Sequence, residues 1–259
     1  MRYFISFLAL IGLIPLYMLK KAFETNILHH EISTDKFIDQ KPFRLFFISD
    51  IHRRKVSNGL IKEVGSTVDI VIIGGDLAEA NVPEKLIAEN LRKLARIAPV
   101  FYVWGNNDRE VGESLIRGLI EKVNGTLLEN KAVCVRDHGH RIQIVGIDDV
   151  SSEKADIQKS FESIHKEDTI IFVSHTPSVF NKVRSVYNPD LLLAGHTHGG
   201  QIRLGGFGLY PLGEFVIKDK KATLISNGYG TTFLPLRLGA ASECHIVTIQ
   251  GSTYNNTIG

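Results

Sequence analysis

Residues 190–201 read DLLLAGHTHGGQ. The apolar run Leu191–Ala194 has strand length and is too short for a buried helix. Gly195 ends it, and His196 and His198 follow with one residue between them. Small residues on both sides leave open space around the two imidazoles, which suits metal ligation better than core packing. In α/β sheets, ligands bind in the crevice beyond the carboxyl ends of the strands. Other short apolar runs in the chain should therefore end in the same way.

They do. FRLFFIS (43–49) is followed by Asp50 and His52, DIVIIGG (69–75) by Asp76, and PVFYVWG (99–105) by Asn106. His175 closes TIIFVSH (169–175), so seven nitrogen and oxygen donors fall at strand ends. Taken singly, each has an ordinary explanation: Gly-Gly-Asp is a common turn, and a lone histidine caps or fills a core. Taken together, at one edge and in this order, they point to a metal site. Between the runs lie helical patterns at 83–98, 113–123, 153–165 and 177–186. A hairpin is expected from 131–137 and 140–148 across Asp137-His138-Gly139, and tail strands near 200–204, 222–226 and 243–250. Strands alternating with helices, then a strand-rich tail, predict an α/β fold with two sheets sandwiched between helices.

The 259 residues are 44% hydrophobic and 22% charged, ordinary for a globular chain, and the net charge of +2 gives no footing for nucleic acid as main partner. Cys134 and Cys244 lack metal-like spacing and sit in strand-like runs, which predicts buried free thiols. The N-terminus differs from the rest. Tyr3–Leu19 is a run of 17 uncharged residues, followed by Lys20 and Lys21. That length is near the lower limit for a membrane span. No small-x-small cleavage site follows, which favours an uncleaved anchor over a signal peptide. Charge flanks nearly balance, with a lean towards the N-terminus inside and the domain outside. The expected layout is an anchor over 1–21, a stalk over 22–41, a metal-binding domain over 42–251 and a tail over 252–259.

The motifs SDIH (49–52), GGD (74–76), GNND (105–108), SH (174–175) and GHTH (195–198) resemble, in that order, those of the calcineurin-like metallophosphoesterases. The similarity spans about Phe43 to Ile249, and GHTHGGQIRL (195–204) with NGYGTTFLPLRLG (227–239) looks like the bacterial membrane-associated or exported branch. The resemblance implies a four-layer α/β/β/α sandwich of two mixed sheets. It implies two divalent ions, one held by Asp50, His52, Asp76 and His198, the other by Asp76, Asn106, His175 and His196, with Asp76 shared. Mixed nitrogen and oxygen donors suit manganese, iron or zinc, with manganese favoured. The implied reaction is hydrolysis of a phosphodiester or diphosphate, possibly lipid- or nucleotide-linked, by a metal-bridging hydroxide.

One position departs from the pattern. Where the family usually has a histidine after the metal-binding asparagine, this chain has Asn107, and an amide cannot deliver a proton near neutral pH. Asn107 is then expected to donate a neutral hydrogen bond to a phosphoryl oxygen, with Asp108 positioning it or its loop. A domain with weakened catalysis, kept as a metal-bound binding module, is the alternative; a nuclease is a third class. Arg53, Arg54 and Lys55 directly follow His52 and are expected either as solvated surface or as a receptor for an anionic group on a phosphorylated small-molecule or lipid substrate. Asp148 and Asp149, at another strand end, and more weakly Asn227 and Arg237, are candidates to support the ligands.

Overall fold

The computed structural model describes residues 2–36, 41–136, 141–165 and 167–252, with side chains from residue 12 onward. Helix α1 (Arg2–Phe23) precedes β1 (Ile27–Thr34) and β2 (Phe43–Ile48). Next come α2 (Asn58–Val64), β3 (Ile70–Ile73), α3 (Glu84–Ala95) and β4 (Val100–Tyr102). After α4 (Asp108–Val111) and α5 (Glu113–Lys122) the chain forms β5 (Thr126–Leu127), β6 (Lys131–Arg136) and β7 (Ile142–Gly146). The remainder is α6 (Ile157–Ser160), β8 (Thr169–Val173), α7 (Phe180–Tyr187), β9 (Leu191–Ala194), β10 (Glu214–Lys218), β11 (Lys221–Ile225) and β12 (Cys244–Gly251).

Two mixed six-stranded sheets result, ordered β1-β12-β2-β3-β4-β5 and β10-β11-β9-β8-β7-β6. Their central strands β2-β3-β4 and β7-β8-β9 are parallel, so the ligand-bearing ends of each sheet share one edge. Alternation along the strands divides the core. Leu45, Phe47, Ile72, Ile144, Ile171 and Leu193 meet between the sheets. Phe46, Ile48, Val71 and Ile73 face outward onto Ile87 and Leu91 of α3 and Ile116 and Ile120 of α5. Phe172 and Leu192 face the other way, onto Phe180 and Val183 of α7. Because both faces of these strands are buried, they read as continuous apolar runs in the sequence.

Several expectations need correction. The stretch expected as a stalk holds β1, which pairs in parallel with β12 from Ile27↔Cys244 to Thr34↔Gly251. As an edge strand with mostly exposed or half-exposed side chains, it carries little of the apolar signal that marks a buried one. The strand expected near 200–204 is replaced by a tight turn, because Gly199, Gly200 and Gln201 all take positive φ. The helix expected over 153–165 shrinks to α6, capped by the Asp156 side chain on Lys159 N–H. Cys134 is exposed beside a register shift in β6, whereas Cys244 is buried and free as expected. The hairpin turn at 137–140 and the tail from 253 lie outside the described residues.

Among the described residues, no helix is long and apolar enough to cross a membrane. The expected span Tyr3–Leu19 falls partly on residues whose side chains lie outside the described set. The described part of α1 is largely exposed, apart from Met18 and Ala22, which are one turn apart and buried. Arg54 fixes this end of the helix. Its guanidinium donates to the carbonyls of Phe23 and Glu24, to Tyr229 O and to Ser242 Oγ, and stacks over the Tyr229 ring. Arg54 is thus a buried brace that caps α1, a role set by the helix's unpaired terminal carbonyls. Arg54→Ala is expected to lower stability by about 1–3 kcal/mol, since it removes this donor from the part-buried carbonyls of Phe23 and Glu24. Urea unfolding measures this, and a loss within error would contradict the bracing role.

Candidate metal centre

The seven strand-end donors converge. His52 Nε2 lies 3.1 Å from His198 Nε2, and His198 Nε2 lies 3.3 Å from Asp50 Oδ1. On the other side, Asn106 Oδ1 lies 3.1 Å from His175 Nε2 and 3.0 Å from His196 Nδ1. Asp76 Oδ2 stands between the two groups, 3.6 Å from His52 Nε2 and 3.3 Å from His175 Nε2. Asp50 also reaches both groups: its carboxylate clusters with His52 and His198 within 4.8 Å, and with Asp76 and His175 within the same distance. The family resemblance implied one shared carboxylate, Asp76; here both carboxylates reach both groups.

The backbone is bent to achieve this. Asp50, His52, Asp76, His196 and His198 all have φ between 49° and 71°, a region that non-glycine residues rarely occupy. Such conformations persist only where the surroundings impose them, and they concentrate at functional sites. Gly105 and Gly195 make the close approach possible. A Cβ at Gly105 would sit 2.2 Å from Asp76 Oδ1, and one at Gly195 would sit 2.3 Å from Asp50 Oδ2.

The donor set fits divalent cations. Two acceptor-capable nitrogens pointing at each other across 3.1 Å repel unless a proton or a cation lies between them. The ring of His175 is oriented for ligation, with Nδ1 2.9 Å from the Gly74 carbonyl and Nε2 facing the cluster. The Glu79 carboxylate lies 2.9 Å from His52 Nδ1, an ion-pair contact on the side of the ring away from His198. Glu79 is not among the sequence candidates. It follows Asp76 by three residues in a loop, and only the fold brings it to His52.

The electrostatics follow from burial and proximity. Burial pushes Asp76 up, but His175, His52 and the Asn107 N–H outweigh it and hold the carboxyl well below the usual range. Burial opposes charge on His175, yet Asp76 beside it raises its pKa to about 10. Burial pushes His198 down to about 4. Burial and the adjacent Asp76 charge raise Asp108 to about 7.

The other candidates take distinct places. Asn107 donates through its backbone N–H to Asp76 Oδ1 at 2.9 Å and through Nδ2 to Asp76 Oδ2 at 2.7 Å, so it clamps that carboxylate while lining the cleft. Asp108 is buried and accepts from the N–H groups of Gly105 and Ala78, which braces the two ligand loops against each other. Arg53 is bonded to Glu79 and to Ala80 O, Arg54 braces α1, and Lys55 pairs with Glu89; the lining described for the cleft includes none of the three. Asp148 pairs with Arg109; burial, then the His175 charge, lower the pKa of His196, and Asp149 is near enough to oppose that shift. Asn227 accepts from Gly213 N–H. Arg237, fully buried, donates to the carbonyls of His198, Asn227, Gly228 and Gly230 and so holds the GHTH loop from behind.

Comparisons with known proteins identify the family of the chain. The calcineurin-like phosphoesterase family profile matches residues 43–200, and the chain belongs to that family. The Bacillus subtilis (strain 168) protein YpbG is 41% identical over 86% of each chain. The phosphodiesterase YaeI of Escherichia coli (strain K12) is 27% identical, over 81% of this chain and 75% of its own length. A 5'-nucleotidase precursor from Thermus thermophilus shares the fold, with a TM-score of 0.53 and 13% identity over 80% of this chain; this chain spans 55% of that one.

Metal binding should release protons. Without metal, His175 keeps its proton at neutral pH because its pKa is raised to about 10, whereas His198, at about 4, has already lost its own. Affinity for manganese is therefore expected to rise with pH through the neutral range, with release of about one proton per His175 ligated. Calorimetry in buffers of different ionisation enthalpy measures the release. An affinity independent of pH would contradict the assignment.

Proposed function

We propose that the chain is a metal-dependent phosphoesterase that hydrolyses a phosphodiester or diphosphate. One ion would be held by Asp50, His52, Asp76 and His198, and a second by Asp76, Asn106, His175 and His196. The observation that carries this is the pairing of two donor groups across the Asp76 carboxylate. Two divalent ions, when bound, supply Lewis acidity to phosphoryl oxygens and acidify the attacking water. The chain's own part is preorganisation. Gly74 O orients the ring of His175, the Glu79 carboxylate pairs with His52, and Asn107 with Asp108 hold the Asp76 loop. Membrane attachment through the uncharged N-terminal run, with the domain outside, is part of the same proposal.

Asn107 shapes the choice of substrate. Its Nδ2 donates one hydrogen to Asp76 Oδ2, and an amide does not transfer a proton near neutral pH, so Asn107 is no acid for a leaving oxygen. A diphosphate or an activated diester, whose leaving group needs little protonation, fits this site best. The same observation favours the second reading, a metal-bound binding module with weakened catalysis.

Full-length chain with manganese is expected to cleave bis-p-nitrophenyl phosphate, and Asp76→Asn to lose both turnover and tight metal binding. Retained metal binding with no cleavage under manganese, iron or zinc would instead favour the binding module. Asn107→His should restore about 10²–10⁴-fold on esters with poor leaving groups and change little on good ones. Rates across a series of leaving-group pKa values measure this, and a uniform effect would overturn the account of Asn107.

A further inference from the structure

The metal cleft, about 540 Å³ in volume, is rimmed on one side by two loops, 201–212 and 230–239. They carry the most exposed large apolar side chains described: Phe233 at 95%, Leu209 at 91%, Phe207 at 87% and Leu204 at 71%. The segments 202–213 and 227–241 contain two charged residues, Arg203 and Arg237. Arg237 is fully buried, and Arg203, half-exposed, donates to the loop carbonyls of Gly199, Gly206 and Tyr210. The rim is therefore predominantly apolar, with Arg203 its one partly exposed charge, and an apolar surface of this kind marks an interaction site. Gln201 joins the loops into one collar, donating to the carbonyls of Thr232 and Leu234 and accepting from Thr232 N–H.

Helix α1 indicates what covers this collar. The backbone N–H of Arg237 donates to Met18 O at 3.1 Å. The second collar loop is thus fixed to a point inside the uncharged run Tyr3–Leu19, directly before Lys20 and Lys21. Lysines that end such a run sit at the headgroup level of a bilayer. A loop bonded to the last turn of the run lies at that level too, and it presents Phe233 and Leu234 there. We propose that the collar docks into the bilayer interface, so that the metal cleft opens at the membrane surface. Its substrate is then a phosphoester carrying a hydrocarbon chain, with the chain lying along Ile202, Leu209 and Phe233. The substrate half rests on the phosphoesterase reading above; the docking half rests instead on the membrane attachment proposed with it.

The test uses full-length chain in phosphatidylcholine–phosphatidylglycerol vesicles. Phe207→Cys and Phe233→Cys, each in a Cys134→Ser background, are labelled with an environment-sensitive fluorophore; the remaining Cys244 is buried. Both labels should shift to the blue and lose most of their emission to nitroxides on the acyl chains. A label at Val186→Cys, exposed on α7, should do neither. Labels at 207 and 233 that stay in a water-like environment, or that shift with protein concentration as in a dimer, overturn the docking. In the activity arm, Phe207→Glu should lower kcat/KM for vesicle-borne hexadecyl p-nitrophenyl phosphate about tenfold, on the scale of one apolar side chain removed from the bilayer. Cleavage of bis-p-nitrophenyl phosphate should be unchanged, since Phe207 is outside the described cleft lining. Equal loss on both substrates overturns the substrate half. Docked labels with no cleavage of either substrate by the parent chain would remove the phosphoesterase reading and the substrate half together, leaving the docking standing.

Discussion

The Asp76 carboxylate between His52 and His175 is the constraint on which the rest of the structure depends. Buried imidazoles and carboxylates would each prefer water, and gathering them costs free energy that apolar packing must offset. Asp76 lowers part of that cost by accepting from Asn107 and by favouring a proton on His175. It does less for the facing nitrogens of His52 and His198, which need a proton or a cation between them. The arrangement is therefore unfavourable without a positive charge at its centre, and the scaffold must hold it open.

Two parallel sheet centres, packed face to face, supply that stiffness. Asp50, His52, Asp76 and Asn106 come from one sheet, His175, His196 and His198 from the other. Neither sheet alone has both halves of the site. The apolar layer between them, with Phe47 and Ile72 against Ile171 and Leu193, thus sets the distance between the donors. A strand end in ordinary extended geometry would carry its side chain past the crevice. Left-handed residues at five of the seven positions turn the donors inward, and the hydrogen bonds of Asp108 and Arg237 keep that geometry from relaxing.

The sequence was most legible where burial is two-sided. Residues 45–48, 70–73, 170–173 and 191–194 are uninterrupted apolar runs, and the donors follow after one to three intervening residues, so strands and site could be read together. It was least legible at the sheet edges. Strands β1 and β10 expose much of their surface and alternate too weakly to stand out from loop. Long-range partnerships left no local trace either. Glu79 looks like any loop acid until the fold sets it against His52, and Arg54 looks like part of a basic surface run until α1 packs over it. Asn107 stands out by its identity, but its two bonds to Asp76 depend on a loop from another strand.

Two buried guanidinium groups connect the site to the N-terminal helix. Arg54 follows His52 by two residues and bonds the carbonyls that end α1. Arg237 bonds His198 O through its side chain and Met18 O through its backbone. Arg54 shares a loop with His52 and Arg237 holds the loop of His198, the two histidines that face each other across 3.1 Å. A helix joined to the domain by a flexible stalk could move without effect on the ligands. This one accepts hydrogen bonds from Arg54 and Arg237 and leads through Asn26 into β1, whose strand neighbour begins at Cys244. A displacement of α1 would strain both histidine loops at once, so the helix belongs to the scaffold of the metal centre as much as to any attachment beyond it.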